Sequence, residues 1–320
     1  MLEVSIIIPN YNGIEYIENC LRSLKIQVNL SDLEIIVVDN GSTDGSNDLV
    51  RRKFPEISMV QLRENFGFCK AVNMGIKAAK APYVILLNND TQVHEYFVKE
   101  LLDGIKRYPK AFSCASLMLN YNNRAVVDDA GDFYCAFGWA YARGKGRNSS
   151  EYLKEGKIFA SCAGAAIYRK EVFDMIGYFD EDHFAYLEDI DIGYRARIYG
   201  YENYYIPTAK VYHVGSGTSG SRYNEFKVKN SSRNNIYLIY KNMPTFQIIL
   251  NLPFLIAGFI VKTIFFIRIG LGFEYIRGLR TGFKMSERKK KISFKKRNLW
   301  NYCKIQKELW ENCFKILRKF

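Results

Sequence analysis

The chain has few of the residues that build redox or metal scaffolds. It contains three histidines, and its seven cysteines stand apart at positions 20, 69, 114, 135, 162, 303 and 313. None forms a close metal-type pair, and an odd number cannot all be joined in disulfides, so a reduced, cytosolic environment is the simplest reading. No stretch precedes the first strand pattern, Val4 to Pro9, that could serve as a signal peptide. A Gly-x-Gly-x-x-Gly turn is also missing. The first strand pattern runs instead into Pro9-Asn-Tyr-Asn-Gly13, which argues against a dinucleotide-dependent dehydrogenase. Cationic excess is missing from most of the chain. Net charge is +13, yet fifteen Lys/Arg against three Glu lie between Arg277 and Phe320, so the first 276 residues are close to neutral. A nucleic-acid role for the main body is thereby disfavoured, and the basicity belongs to a tail.

What is present is a core-forming chain of 320 residues with 15% aromatics spread along it, which excludes disorder and allows one large domain with an appendage. Residues 4–117 alternate apolar runs with amphipathic stretches. Strand patterns cover Val4–Pro9, Glu34–Asp39, Ser58–Leu62, Tyr83–Leu87 and Phe112–Leu117, and helical patterns fall near 14–27, 45–54, 68–80 and 94–107. Such alternation predicts an α/β fold with a mostly parallel sheet flanked by helices, and ligands at the carboxyl ends of its strands. Residues 118–160, rich in Gly, Asn and aromatics, predict hairpins and loops. A strand (Ala163–Tyr168), two helices (Lys170–Ile176 and Asp189–Tyr199) and an extended run (Asn203–His213) follow, then a Gly/Ser-rich loop from Gly215 to Tyr223 and a polar helix near 224–242. We divide the chain into 1–242, with a nucleotide-binding half (1–117) and an acceptor and metal half (118–242), and an apolar and basic segment, 243–320. Ile248–Ile267 is near bilayer-spanning length but carries Pro253 and Lys262, so an interfacial or re-entrant helix pair fits as well as a span. The cluster Arg288-Lys289-Lys290-Lys291 and Lys295-Lys296-Arg297 beyond it suits an anionic cytoplasmic leaflet.

Several polar groups sit where chemistry is expected, each with an ordinary structural alternative. Asp39 closes an apolar strand pattern and could accept from a nucleobase or ribose, or could cap the turn Asn40-Gly41-Ser42-Thr43-Asp44. Asn88-Asn89-Asp90 ends another strand and offers hard oxygen ligands for Mg²⁺ or Mn²⁺, or is a polar turn. Glu188-Asp189-Ile190-Asp191 opens a helix after an aromatic loop. These acids either complement the helix dipole or provide a desolvated general base. His213 lies between a strand pattern and a Gly/Ser loop, placed to join a metal site or to serve structure. Lys70 and Asn73 follow Asn65-Phe66-Gly67-Phe68 at a helix start, which suits ribose or phosphate, or a solvated face.

Taken in order, Ile6-Ile-Ile-Pro-Asn-Tyr-Asn-Gly13, Val37-Val-Asp-Asn-Gly-Ser-Thr-Asp-Gly-Ser46, Asn65-Phe-Gly-Phe68, Leu87-Asn-Asn-Asp-Thr91 and Gly177-Tyr-Phe-Asp-Glu181 leading into Glu188-Asp189-Ile190-Asp191 resemble the inverting glycosyltransferases of family 2. The nearest subgroup is the rhamnosyltransferase-like enzymes of bacterial polysaccharide assembly, and the resemblance covers roughly residues 3–242. It implies a GT-A fold, a divalent metal (Mg²⁺ or Mn²⁺), and a nucleoside diphosphate sugar donor carrying dTDP or UDP. It also implies Asp39 on the base, Asp90 and His213 on the metal, and Asp189 as general base. Some relatives carry Asp where this chain has Asn88, so only Asp90 supplies a carboxylate there. The donor set expected on this reading is Pro9, Tyr11, Asp39, Gly41, Asn65, Lys70, Asn73, Asn88, Asn89 and Asp90; the acceptor set is Trp139, Glu188 and Asp191. The acceptor is a glycan or lipid-linked glycan met at the cytoplasmic face of the membrane, with no nucleic-acid partner, and a homodimer is compatible with the sequence. The alternative is a non-catalytic membrane-associated protein of the same fold that binds sugar nucleotides or acts as a scaffold.

Overall fold

The computed structural model describes residues 2–27, 33–215, 223–286 and 291–317. The expected mobile loop at Gly215–Tyr223 and the cluster at Arg288–Lys290 therefore lie largely outside the described residues.

The N-terminal half is built from strand–helix repeats. Strands β1 (Val4–Asn10), β2 (Leu33–Asn40), β3 (Ser58–Leu62) and β4 (Tyr83–Leu87) are parallel neighbours in the order β4-β1-β2-β3. Helices α1 (Ile17–Lys25), α2 (Ser46–Lys53) and α3 (Phe68–Ala78) connect them. Successive residues of β1 are buried because both sheet faces are covered, which explains a continuous apolar run in place of alternation. Ile6 and Ile8 pack into a core with Leu21, Leu24 and Phe97 on one face; Ile7 packs with Val72, Ile76 and Tyr168 on the other.

The chain continues through β5 (Thr91–Val93), α4 (Phe97–Arg107), β6 (Ala111–Asn120), β7 (Val127–Asp129), a hairpin of β8 (Asp132–Cys135) and β9 (Trp139–Ala142), β10 (Gly156–Ile158), β11 (Ala165–Arg169), α5 (Lys170–Ile176), α6 (Glu188–Ile198) and β12 (Glu202–His213). The sheet order is β10-β12-β6-β11-β4-β1-β2-β3, with β5 on β12 and β7 on β6. Strand β11 runs antiparallel to both neighbours, β4 and β6. The 118–160 excursion returns the chain to the sheet from the opposite end, so this strand escapes the parallel rule that the repeats suggest.

Helices α7 (Glu225–Asn242), α8 (Thr245–Arg268), α9 (Gly272–Met285) and α10 (Leu299–Leu317) complete the chain. Val228 of α7, Phe266 of α8 and Tyr275 of α9 form a small cluster of their own. Tyr302, Ile305 and Leu309 of α10 and Leu255 of α8 pack with Tyr134, Phe159, Ile190, Tyr194 and Leu238 in one cluster. The apolar stretch at 248–267 is one continuous helix through Pro253, not a helix pair.

Candidate active site

A cleft of about 980 Å³ opens at the carboxyl ends of β1, β2 and β4. Pro9, Tyr11, Asn65, Asn88, Asn89, Asp90, Glu188, Asp189 and His213 all line it, with Asn10, Asn40, Cys162 and the 184–187 turn among the other walls. Residues 9 to 213 are thus brought together by strand ends and one helix start, the arrangement expected of an open α/β sheet.

The β1–β2 side of the cleft is rigidified by amides. Asn40 donates to Asn65 Oδ1 (2.9 Å) and to the Gly67 carbonyl (3.2 Å), and accepts from the Phe66 amide (3.0 Å). Asn89 donates to Asn10 Oδ1 at 2.7 Å, and Asn10 donates to Ser46 Oγ at 2.8 Å. Gly41 has φ +80°, and a Cβ there would lie 2.5 Å from the Glu64 backbone, so only glycine fits.

The acidic end is different. Asp189, in the first turn of α6, accepts from the Ala163 amide at 3.0 Å and remains partly open to the cleft. Burial raises its pKa well above the usual carboxylate range. The charge on Glu188 adds to this, the Ala163 bond opposes it, and Asp129 contributes in the same upward direction. Glu188 is pushed up to about 7, chiefly by burial, and its Oε2 has no hydrogen-bond partner in the structure. A carboxylate in this setting is a stronger base than an exposed one, which suits it to take a hydroxyl proton.

His213 is held on both ring nitrogens. Nδ1 lies 2.7 Å from Asp128 Oδ2 and Nε2 lies 3.2 Å from Asp90 Oδ1; Lys145 Nζ sits 2.6 Å from Asp128 Oδ1. Burial disfavours the imidazolium, but the bonds to Asp128 and Asp90 outweigh it and lift the pKa to about 9. Asp128 fixes the ring so that Nε2 faces Asp90 and the cleft. A histidine oriented by a carboxylate, beside a second carboxylate, is a donor set that fits a divalent ion. Asp132, Cys162 and Asp189 also approach one another within 4.8 Å. Burial keeps the Cys162 thiol protonated, with Asp189, Asp129 and Asp132 adding to the effect, and an ion there would occupy Asp189. Asp90 and His213 do not carry that conflict. Replacing Asp128 by Asn is expected to weaken Mn²⁺ binding about 10–100-fold, measured by calorimetry with nucleoside diphosphate present.

Six expected residues do not reach the cleft wall. Asp39 is fully buried and accepts from the Ser42 amide (3.2 and 3.3 Å), the turn-capping alternative; its neighbour Asn40 faces the cleft instead. Gly41 shapes that turn without lining the space. Lys70 Nζ pairs with Glu181 Oε2 at 3.1 Å. Asn73 is buried in reciprocal bonds with the Phe179 backbone (2.8 and 3.0 Å). Trp139 donates to the Gly258 carbonyl of α8 at 3.0 Å, away from the cleft. Asp191 points into the protein, where Arg195 Nε (3.0 Å), Lys241 Nζ (2.9 Å) and Asn242 Nδ2 (2.8 Å) surround it. The acceptor role expected of Asp191 has no place in that geometry, because the residue is fully buried and lies off the cleft wall.

The turn before α6 carries backbone strain that the sequence did not announce. Phe184, Tyr186 and Leu187 have φ of 62°, 74° and 65°. Asn234 of α7 holds the turn with one amide nitrogen, which donates to the carbonyls of His183, Ala185 and Tyr186 (2.7–2.9 Å). Arg233 adds a bond to the His183 carbonyl at 2.8 Å. The Phe184 ring lies over Gly67, where a Cβ would come within 2.6 Å of it, and the Phe184 carbonyl accepts from the Cys69 amide at 3.2 Å.

Residues 5–177 match the family model Glycosyl transferase family 2, more than half of the chain. The chain belongs to glycosyl transferase family 2. It is 26% identical over 241 residues to an N-acetylglucosaminyl-diphospho-decaprenol L-rhamnosyltransferase of Mycobacterium tuberculosis, covering 67% of this chain and 77% of that one. It is 24% identical over 208 residues to a poly-beta-1,6-N-acetyl-D-glucosamine synthase of Staphylococcus epidermidis, covering 64% of this chain and 48% of that one. Among solved structures, GalNAc-T7 with UDP, GalNAc and Mn²⁺ superposes with a TM-score of 0.59 at 14% identity, over 75% of this chain and 48% of that longer one. S. aureus TarS 1–349 in complex with UDP superposes with a TM-score of 0.52 at 20% identity, over 76% of this chain and 67% of that one. The fold of this family 2 glycosyltransferase is therefore of the GT-A type, as the strand order and the cleft position require.

Proposed function

We propose that this glycosyltransferase moves a sugar, with inversion, from a nucleoside diphosphate donor to a hydroxyl of a lipid-linked or growing cell-surface glycan. The observation that carries the reading is that Asp189, Asp90 and His213, far apart in sequence, line one cleft. The lipid-linked acceptor is supported by the rhamnosyltransferase relative, whose name carries N-acetylglucosaminyl-diphospho-decaprenol. Rhamnose on dTDP is the first candidate donor, and uridine diphosphate hexoses are the second, given UDP in the TarS and GalNAc-T7 structures.

In this mechanism the nucleoside lies along the Asn40–Asn65 wall and the diphosphate points toward Asp90. Asp90 and His213 would hold Mg²⁺ or Mn²⁺, which neutralises charge on the departing diphosphate. Asp189 Oδ takes the proton of the acceptor hydroxyl as its oxygen attacks the anomeric carbon from the side opposite the leaving group. Glu188 stands next to the proposed base and lines the same cleft.

The test is a donor screen. Release or transfer of sugar is measured for several dTDP- and UDP-sugars, with and without Mg²⁺ or Mn²⁺, using a polyprenyl diphosphate glycan acceptor. Metal-dependent turnover of one donor is the expected result. Turnover equally fast without divalent ion would remove the metal role, and silence with every donor would remove the transfer itself.

A further inference from the structure

Helix α8 has its polarity reversed. Its inward stripe is Gln247, Asn251, Leu255, Gly258, Lys262 and Phe266, spaced as one helix face. This stripe is docked along almost the whole helix, on α6, the β8–β9 turn, α9 and α10. Gln247 accepts from Tyr194 of α6 at 2.7 Å. Asn251 exchanges bonds with Gln306 (2.7 and 2.8 Å) and accepts from Trp310 at 3.1 Å. Gly258 meets the Phe137 backbone so closely that a Cβ would fall 2.1 Å from its carbonyl oxygen. Phe266 stacks on Tyr275 with ring centroids 4.8 Å apart.

The outward stripe is apolar instead of polar. Ile249, Leu252, Ile256, Ile260, Ile264 and Ile267 are each 47–65% exposed. A surface helix of a water-soluble protein presents the opposite pattern. An apolar face this long is far beyond the scattered exposed side chains of an ordinary surface. Helix α9 continues the theme after a short turn, with Phe273, Ile276 and Phe283 exposed among the exposed cations Arg277, Arg280 and Lys284.

By length and composition α8 could cross a bilayer. Its docking argues against that orientation, because a spanning helix would leave the body behind it, while α8 is held to the body from Gln247, on Tyr194, to Lys262, over Trp139. We propose that α8 lies in the plane of an anionic membrane, with its outer stripe in the acyl boundary and the cations of α9 on the headgroups. The lipid surface is the occupant because the face is apolar while the adjoining segment, from Arg277 onward, holds fifteen Lys/Arg against three Glu. A second copy of the chain would bring those like charges together. A groove of about 480 Å³ between α7 and α9, lined by Phe226, Lys229, Arg233 and Arg277, shares Phe184, Glu225 and Phe226 with the catalytic cleft's surroundings. It runs from Arg277 of α9 to the residues it shares with the cleft. The inference concerns how the protein sits, and its test does not depend on which sugar is moved.

The test uses the full chain and vesicles of phosphatidylglycerol and phosphatidylcholine. The wild type is expected to float with mixed vesicles and to bind at least tenfold more weakly to phosphatidylcholine alone or in high salt. The triple substitution Ile249→Ser, Ile256→Ser, Ile260→Ser is expected to lose flotation with an unchanged circular dichroism spectrum and melting curve. Environment-sensitive probes on single cysteines at 249, 256 and 264, in a Cys303→Ser background, should report equal, shallow depths by brominated-lipid quenching. A deeper probe at 256 than at the two ends would show a spanning helix and overturn the proposal. So would lipid-free dimerisation through this face with no vesicle binding, or flotation of the triple variant equal to wild type.

Discussion

Asp189→Asn is expected to lower kcat by about 10²–10⁴-fold, the usual range for removing a positioned general base, with donor binding intact. The isosteric amide keeps the hydrogen bond from the Ala163 amide, so α6 and the cleft retain their shape. What is lost is the site that receives the acceptor proton. The measurement is single-turnover transfer alongside calorimetric donor binding; near-normal turnover would exclude the role. A pH profile adds a second constraint. Burial raises the Asp189 pKa, so the charged, active form is depleted at a higher pH than for an exposed carboxylate. The rate should therefore fall as pH decreases through a value well above about 4, the ordinary range of Asp. The residual rate of Asp189→Asn should lack that limb.

The second large effect is on folding. Asp191→Ala is expected to cost about 3–5 kcal/mol, because it strands the buried Arg195 without its counter-charge and takes one of two carboxylates from Lys241. Arg195 also donates to the carbonyls of Ile176, Gly177 and Tyr178 (2.7–2.8 Å), and Lys241 bridges to Asp180 at 2.6 Å. One carboxylate thus anchors α5, α6 and α7 together. Urea unfolding monitored by circular dichroism measures the loss, and a change below about 1 kcal/mol, the ceiling for exposed pairs, would show the network to be dispensable. The sign with pH follows from the shift. Burial disfavours the Asp191 anion, yet Arg195 and Lys241 outweigh it and hold the pKa below its ordinary value. Its stabilisation is complete above about pH 4, the unfolded value, and is lost as pH falls from there toward the folded one. Asp191→Ala should flatten this acid dependence.

The repeats of residues 4–117 were readable because each strand is a continuous apolar run ending in a polar turn. Ser58–Leu62 and Tyr83–Leu87 are found at those bounds. Asp90, Asp189 and His213 were readable for the same reason: strand ends and helix starts are where such sheets place ligands. Asp128 was not, because it lies in an irregular 118–160 segment and its meaning depends on His213, 85 residues away. Asn234 was equally hidden, since a lone Asn inside a helix gives no sign of the three carbonyls it holds. Asp191 misled because a helix-start acid reads alike whether it faces a cleft or a buried Arg and Lys. The antiparallel β11 left no trace in composition.

The packing of Phe184 against Gly67 has a kinetic corollary. The wall proposed to face the nucleoside and the turn that precedes Asp189, the proposed proton acceptor, press on each other, and share the Cys69–Phe184 bond. Neither can be rearranged alone. Arrival of the nucleotide sugar should therefore precede productive docking of the acceptor. Steady-state data would then show a compulsory order, with free nucleoside diphosphate competing against the donor and not against the acceptor.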